Sequence, residues 1–218
     1  MIPKVIHYIW FGRNQLPIVV LRCIESWKKY APDFEIKVWN EDNIPRDIPF
    51  VEEMLKEKKW AFASDYMRLH LIYNFGGIYL DTDIELVKNI EPLLANNCFL
   101  GYESKGRPTT GIFGAVKGHP LILTCIKIME NRYTEKLPYF IAPEVATEAV
   151  KINPTSDFFI YPEDCFYPYN PYDTHRNKSI LMYSDVVENT FAIHHWNHGW
   201  HQSVIERLLK KMRKLIFK

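Results

Sequence analysis

No apolar run in this 218-residue chain approaches the roughly 18 to 20 residues that a membrane-spanning helix requires, so nothing in it reads as a bilayer span. Cysteine is scarce and unpatterned. Cys23, Cys98, Cys125 and Cys165 form no CxxC pair and no ligand-like spacing, which fits reduced core thiols in a cytoplasmic protein rather than a disulfide framework. Net charge is nearly absent, +1 at pH 7, and that argues against a general nucleic-acid-binding surface. The opening MIPKVIHYIWFG lacks a small-residue cleavage site and has a short apolar stretch broken by His7. It reads as a first buried strand, not a signal peptide. No internal repeat or low-complexity linker divides the chain, and its length suits one core, so a single domain over 1–218 is expected.

What is present alternates. Lys4 to Trp10 reads as a strand, Pro17 to Tyr30 as a helix, Glu35 to Trp39 as a strand, and helical patterning resumes from Val51. Trp60 to Asn74 has the residue types of one helix, stopped by Gly76-Gly77. Ile78-Tyr79-Leu80 is then a short apolar strand running into Asp81-Thr82-Asp83. The alternation predicts an α/β fold with a mostly parallel sheet flanked by helices, and in such sheets ligands collect at the carboxyl ends of strands. Further on, strands are expected at Cys98 to Tyr102 and Gly111 to Val116 around a polar loop, and helices at Pro120 to Arg132 and Pro143 to Lys151. Tyr161 to Tyr172, crowded with Pro and aromatics, is expected to be irregular, and Thr190 to His194 to be a last strand.

Two aspartates at a strand end can bind a hard divalent cation directly or through water. Alone the pattern says little, since a chain with ten Asp shows a DxD by chance roughly half the time and such a triplet is often a solvated turn. Its surroundings add to it. Asp65 and Arg68, three apart on the expected helix, share a face on which an acid and a guanidinium can hold a polar ligand, though a plain surface ion pair has the same spacing.

The run WAFASDYMRLHLIYNFGGIYLDTDIEL resembles the sugar-binding region with the DXD motif in family 32 glycosyltransferases, a group of fungal α-mannosyltransferases, α-galactosyltransferases and bacterial capsule enzymes. It is also similar to the catalytic core of the clostridial glucosylating toxins. The match rests on Asp65, Arg68, Tyr79, Asp81 and Asp83 across nineteen positions. It implies a GT-A type nucleotide-sugar-binding fold and a retaining hexosyltransferase dependent on Mn2+ or Mg2+, using a nucleotide sugar, on the Trp10 match a UDP-sugar, in polysaccharide biosynthesis. By the same resemblance Asp65, Arg68, Asp81 and Asp83 are the catalytic group, with Asp65 and Arg68 on donor hydroxyls and phosphate and Tyr79 near the ribose. Trp10, in IPKVIHYIWFG, matches a base-stacking position; a lone Trp there is otherwise a core residue. In AIHHW, His194 best matches a third metal ligand beside Asp81 and Asp83, with His195, Trp196 and Trp200 flanking the diphosphate or sugar. Neighbouring His side chains on a strand point opposite ways, which leaves His194 and His195 as alternatives for the metal.

The last segment, SVIERLLKKMRKLIFK, sets Arg207, Lys210, Lys211, Arg213, Lys214 and Lys218 against Glu206 alone, with apolar residues at helical spacing. A basic amphipathic helix over 203–218 suits an anionic membrane surface and a peripheral place on its cytoplasmic face; a terminal helix docked on the body suits the same pattern. The acceptor is expected to be a glycan or a lipid-linked oligosaccharide. A metal-dependent phosphohydrolase and a non-catalytic carbohydrate-binding module are the competing function classes. The first would need a second cluster of carboxylates and His, and the second would not need Asp65, Arg68 and DxD together.

Overall fold

The computed structural model describes residues 1–153, 157–176 and 178–197. In chain order the elements are β1 (Val5–Ile9), α1 (Ile18–Tyr30), β2 (Glu35–Trp39), α2 (Pro49–Lys56), α3 (Trp60–Phe75), β3 (Gly77–Leu80), β4 (Ile84–Leu86), β5 (Cys98–Ser104), β6 (Arg107–Ala115), α4 (Pro120–Thr134), α5 (Ala142–Ile152), β7 (Phe159–Tyr161), α6 (Glu163–Phe166) and β8 (Ala192–His194). Proline opens α2, α4 and α5 within their first two positions, where its missing N–H costs no helical bond and its φ is already helical.

Six strands form one sheet in the order β2-β1-β3-β6-β5-β7, and β4 pairs with β8 in a separate two-stranded ribbon. β1 is parallel to β2 and to β3, β5 is parallel to β7, and β6 runs antiparallel between β3 and β5. The sheet is thus mostly parallel with one reversed strand. Successive side chains of a strand face opposite sides, and the core divides accordingly. Ile78 and Leu80 pack with α1 residues Val20, Cys23 and Trp27, while Tyr79 packs with α2, α3, α4 and α5.

α3 is buried nearly all round, including Ala63, Ser64, Met67, Arg68, Leu71 and Ile72. It therefore shows no amphipathic period, and composition rather than periodicity reveals it. At its end Gly76 (φ 69) and Gly77 (φ 108) take left-handed backbone, and a Cβ on Gly77 would lie 2.7 Å from the Val5 carbonyl oxygen. Only glycine fits a turn this close to β1. His7 fastens the same turn. Its Nε2 donates to the Gly76 carbonyl (3.0 Å), and its Nδ1 accepts from Trp39 Nε1 (3.0 Å); indole N–H can only donate, which fixes the neutral tautomer.

The structure corrects two expectations. The polar stretch between the two middle strands is itself strand, with β5 and β6 meeting in a tight turn at Lys105-Gly106. The Pro- and aromatic-rich stretch opens with the end of β7 and the short α6. β4, too short for a period of its own, went unread. The basic tail 203–218 lies outside the described residues. Among the described residues no helix is long and apolar enough to cross a membrane, and all four cysteines are unpaired and buried.

Candidate active site

β1, β3 and β5 end at the same edge of the sheet, since β6 reverses between β3 and β5. A cleft of about 310 Å³ opens there, lined among others by Trp10, Asp65, Arg68, Asp81, Asp83 and His194. That volume is at the lower end of the range for small-molecule sites.

One wall is an ion cluster seated between α3 and β3. Arg68 Nη2 lies 2.9 Å from Asp65 Oδ1 and 3.0 Å from Asp81 Oδ1. Its Nη1 donates to Asp81 Oδ2 (3.3 Å) and to the Thr110 carbonyl (3.1 Å), and its Nε to the Ser64 carbonyl (3.4 Å). Nε and Nη1 thus donate three hydrogen bonds, and Nη2 is in ion-pair contact with both carboxylates. Arg68 thus holds two carboxylates in place while also lining the cleft. Tyr79 is likewise a supporting group: it is buried, its hydroxyl donates to Asp81 Oδ1 (3.1 Å), and its ring lies 4.8 Å from the Arg68 guanidinium. Burial raises the Asp65 carboxyl to about 6 against the pull of Arg68. Asp81 is raised for the same reason. Burial also disfavours the Arg68 charge, but Asp81, Tyr79 and Asp65 more than restore it.

The opposite wall brings together residues far apart in sequence. β4 pairs with β8 with Ile84 opposite His194, and His194 Nε2 lies 3.1 Å from Asp83 Oδ1. Asp83 Oδ2 accepts from the Asn197 backbone N–H (2.8 Å). That contact depends on Trp196, whose φ of 53 is uncommon for a bulky residue and turns the chain back toward Asp83. Burial raises Asp83, but His194 and the Asn197 N–H outweigh it and leave the carboxyl below its ordinary value. Burial lowers His194, and Asp83 in turn draws it above its ordinary value. Trp196 stands 4.2 Å from the His194 ring and also lines the cleft.

A divalent cation fits part of the expected set. Carboxylate and imidazole are donors suited to Mn2+ or Mg2+, and His194 Nδ1 is buried with no hydrogen-bond partner. The three-ligand arrangement is not assembled, however: among the described residues no three His, Cys, Asp or Glu side chains converge on one point, because Asp81 is gripped by Arg68. Asp83 and His194 are the residues that would hold the ion. His195 faces elsewhere, with Nε2 2.8 Å from Glu85 Oε2 in a separate groove beside Arg22 and Cys23. Trp200 lies outside the described residues.

Glu103, Thr109 and Tyr167 also line the cleft, and no sequence signal pointed to them; the first turn of α5, which opens the APEVAT run, lines it as well. Gly111 does so too, and a Cβ there would stand 3.0 Å from both Asp81 Oδ2 and the Tyr167 hydroxyl. Its glycine keeps the floor beside Asp81 open.

A mixed sheet that presents an Asp-Thr-Asp strand end, a carboxylate clamp and a Trp at one edge defines a nucleotide-sugar-binding fold of the GT-A type. A solved structure described as "PaToxG Glycosyltransferase" shares this fold, with a TM-score of 0.61 and 21% identity over 70% of each chain. Residues 17–100 match the model of the family described as "Glycosyltransferase sugar-binding region containing DXD motif". The chain is 28% identical to inositol phosphoceramide mannosyltransferase 3 of Schizosaccharomyces pombe over 131 residues, 58% of this chain and 36% of that protein. It is 28% identical to alpha-1,4-N-acetylglucosaminyltransferase of Homo sapiens over 156 residues, 65% of this chain and 44% of that protein. The matched region thus spans between a third and a half of these curated relatives.

Proposed function

We propose that the chain transfers a hexose from a nucleoside diphosphate sugar, with uridine as the nucleoside, to a hydroxyl of a glycan or lipid-linked acceptor, with a divalent cation and with retention of anomeric configuration. The observation that carries this reading is the Asp65–Arg68–Asp81 clamp opening into the same cleft as Trp10 and Asp83. Asp65 and Asp81, held by Arg68, offer acceptors for donor hydroxyls at fixed positions, which reduces the entropy lost in orienting the sugar. Trp10 supplies a flat face for the base. With the Arg68 charge shared between Asp65 and Asp81, the charge on a departing diphosphate needs another counter-charge. A cation on Asp83 and His194 would supply it as a Lewis acid. The "alpha" linkage in the name of the human relative fits retention, and the ceramide in the name of the yeast relative fits a lipid-linked acceptor at a membrane that the basic tail 203–218 would approach.

The test is incubation with UDP- and GDP-hexoses, with Mn2+ and with chelator, measuring nucleotide release and the anomer formed. Cation-dependent release from a UDP-sugar is expected; no release from any donor would overturn the reading. Sedimentation with anionic vesicles, comparing the whole chain with one ending at Gln202, tests the membrane contact.

A further inference from the structure

Glu103 is a carboxylate in the cleft whose hydrogen bonds go neither to the clamp nor to the Asp83–His194 wall, although its charge and that of His194 act on each other. It is the penultimate residue of β5, its side chain is 15% exposed, Arg107 Nε lies 2.8 Å from its Oε1, and Thr109 hydrogen-bonds it as well. Both partners come from β6, the strand paired with β5, so the carboxylate is fixed by the hairpin that carries it. Burial raises it above its ordinary value, with Arg107 as the chief opposing charge.

Its place along the sheet edge is informative. Trp10 follows β1, Asp81 and Asp83 follow β3, Thr109 and Gly111 lie on β6, and Glu103 lies one residue before the end of β5. Neighbouring strands are about 4.8 Å apart, so Glu103 stands two strand steps, on the order of 10 Å, beyond the strand end that leads to Asp81. A donor laid with its base at Trp10 and its diphosphate before Asp83 directs its anomeric carbon toward β6 and β5. We propose that Glu103 is the acceptor-binding residue: its carboxylate accepts hydrogen bonds from hydroxyls of a carbohydrate acceptor and selects the oxygen that meets the anomeric carbon. This rests on the glycosyltransfer reading above. A fixed, partly desolvated carboxylate is a strong acceptor for sugar hydroxyls, and one on the far side of the reacting centre discriminates acceptors rather than donors.

The experiment separates the two claims by a ratio. UDP release from UDP-galactose and UDP-glucose is measured without acceptor, where water takes the sugar, and with p-nitrophenyl galactoside, glucoside or mannoside. For Glu103→Gln the ratio of acceptor-stimulated to acceptor-free release is expected to fall roughly 10- to 100-fold, the range for losing a hydrogen bond to a charged group, mainly through a raised acceptor KM. Glu103→Asp, which withdraws the carboxylate but keeps its charge, is expected to fall less, and it decides the matter if the Gln variant does not fold. A ratio kept at its original value in these variants overturns the assignment while leaving glycosyltransfer intact. Equal loss of both rates makes Glu103 a donor-side or scaffold group and overturns it equally. Absence of release by the unaltered chain removes the glycosyltransfer reading, and this inference with it.

Discussion

Asp81 and Asp83 stand two residues apart, yet the side chains that hold them come from different kinds of structure. Asp81 is held from within one stretch, Ser64 to Asp81, by a helix, a two-glycine turn and a strand that fold back on one another. Asp83 is held from 111 and 114 residues away, by His194 and the Asn197 N–H. The first wall is a compact ion cluster in which two carboxylates share one guanidinium. The second keeps a buried, unpartnered imidazole nitrogen and a left-handed Trp196. Compact clusters fix geometry, whereas unfilled donors and strained backbone mark where something else binds.

Breaking the first wall should have the largest effect. Arg68→Met leaves Asp65 and Asp81 facing each other in a buried site with no counter-charge, and losing one partner of such a pair costs about 3–5 kcal/mol. Urea unfolding should show a midpoint lowered accordingly, with activity lost. Near-native stability in this variant would mean that the two aspartates do not depend on Arg68.

Breaking the second wall should act on chemistry instead. Asp83→Asn keeps the shape and the acceptance from the Asn197 N–H but removes the charge that would hold a cation. Transfer is expected to fall about 100- to 1,000-fold, the cost of removing one well-placed electrostatic group, with the unfolding midpoint little changed. Wild-type-like turnover at limiting Mn2+ would count against a cation at Asp83.

The support beneath the first wall can be probed by pH. Burial lowers His7 from 6.5 to about 4, so its contribution is present above pH 6.5 and is lost as pH falls toward 4, by about 3 kcal/mol. Asp65 works the other way: its raised value, about 6, adds stability that is complete below its ordinary value and disappears as pH rises through 6. A single melting curve therefore mixes opposite slopes. His7→Gln, which can still donate to Gly76, isolates the first, and the stability gap between wild type and variant is expected to narrow by about 3 kcal/mol between pH 7 and pH 4. A gap that does not change would show that His7 is not held neutral.

The same contrast explains what could be read from sequence. The first wall was legible because Asp65, Arg68, Tyr79 and the Gly-Gly turn lie on adjoining elements, so spacing alone brings them together. It did not show that Arg68 is anchored by backbone as well as by the carboxylates, since that needs the Thr110 and Ser64 carbonyls in place. His194 was found through family resemblance, and the choice between it and His195 waited on the pairing of β8 with β4, which turns one ring to Asp83 and the other to Glu85. Glu103 and Tyr167 were invisible because nothing in CFLGYES or the aromatic stretch says which side chains reach another strand's end.

Trp10 is the residue whose reading depends most on that comparison, since it stands at the margin of the first wall without belonging to its ion cluster. It follows β1, lines the cleft, is half-buried, and donates from Nε1 to the Asn14 carbonyl (2.8 Å). Its one N–H is already bonded, so the base-stacking role that the sequence resemblance implies rests on the ring rather than on that donor. Trp10→Ala is expected to weaken UDP binding in the presence of Mn2+ by about 1–3 kcal/mol, the usual contribution of an aromatic platform to a stacked base. Calorimetric titration of both proteins measures this directly. If affinity is unchanged while the melting temperature falls, Trp10 is a packing residue at the rim and the base lies elsewhere in the cleft.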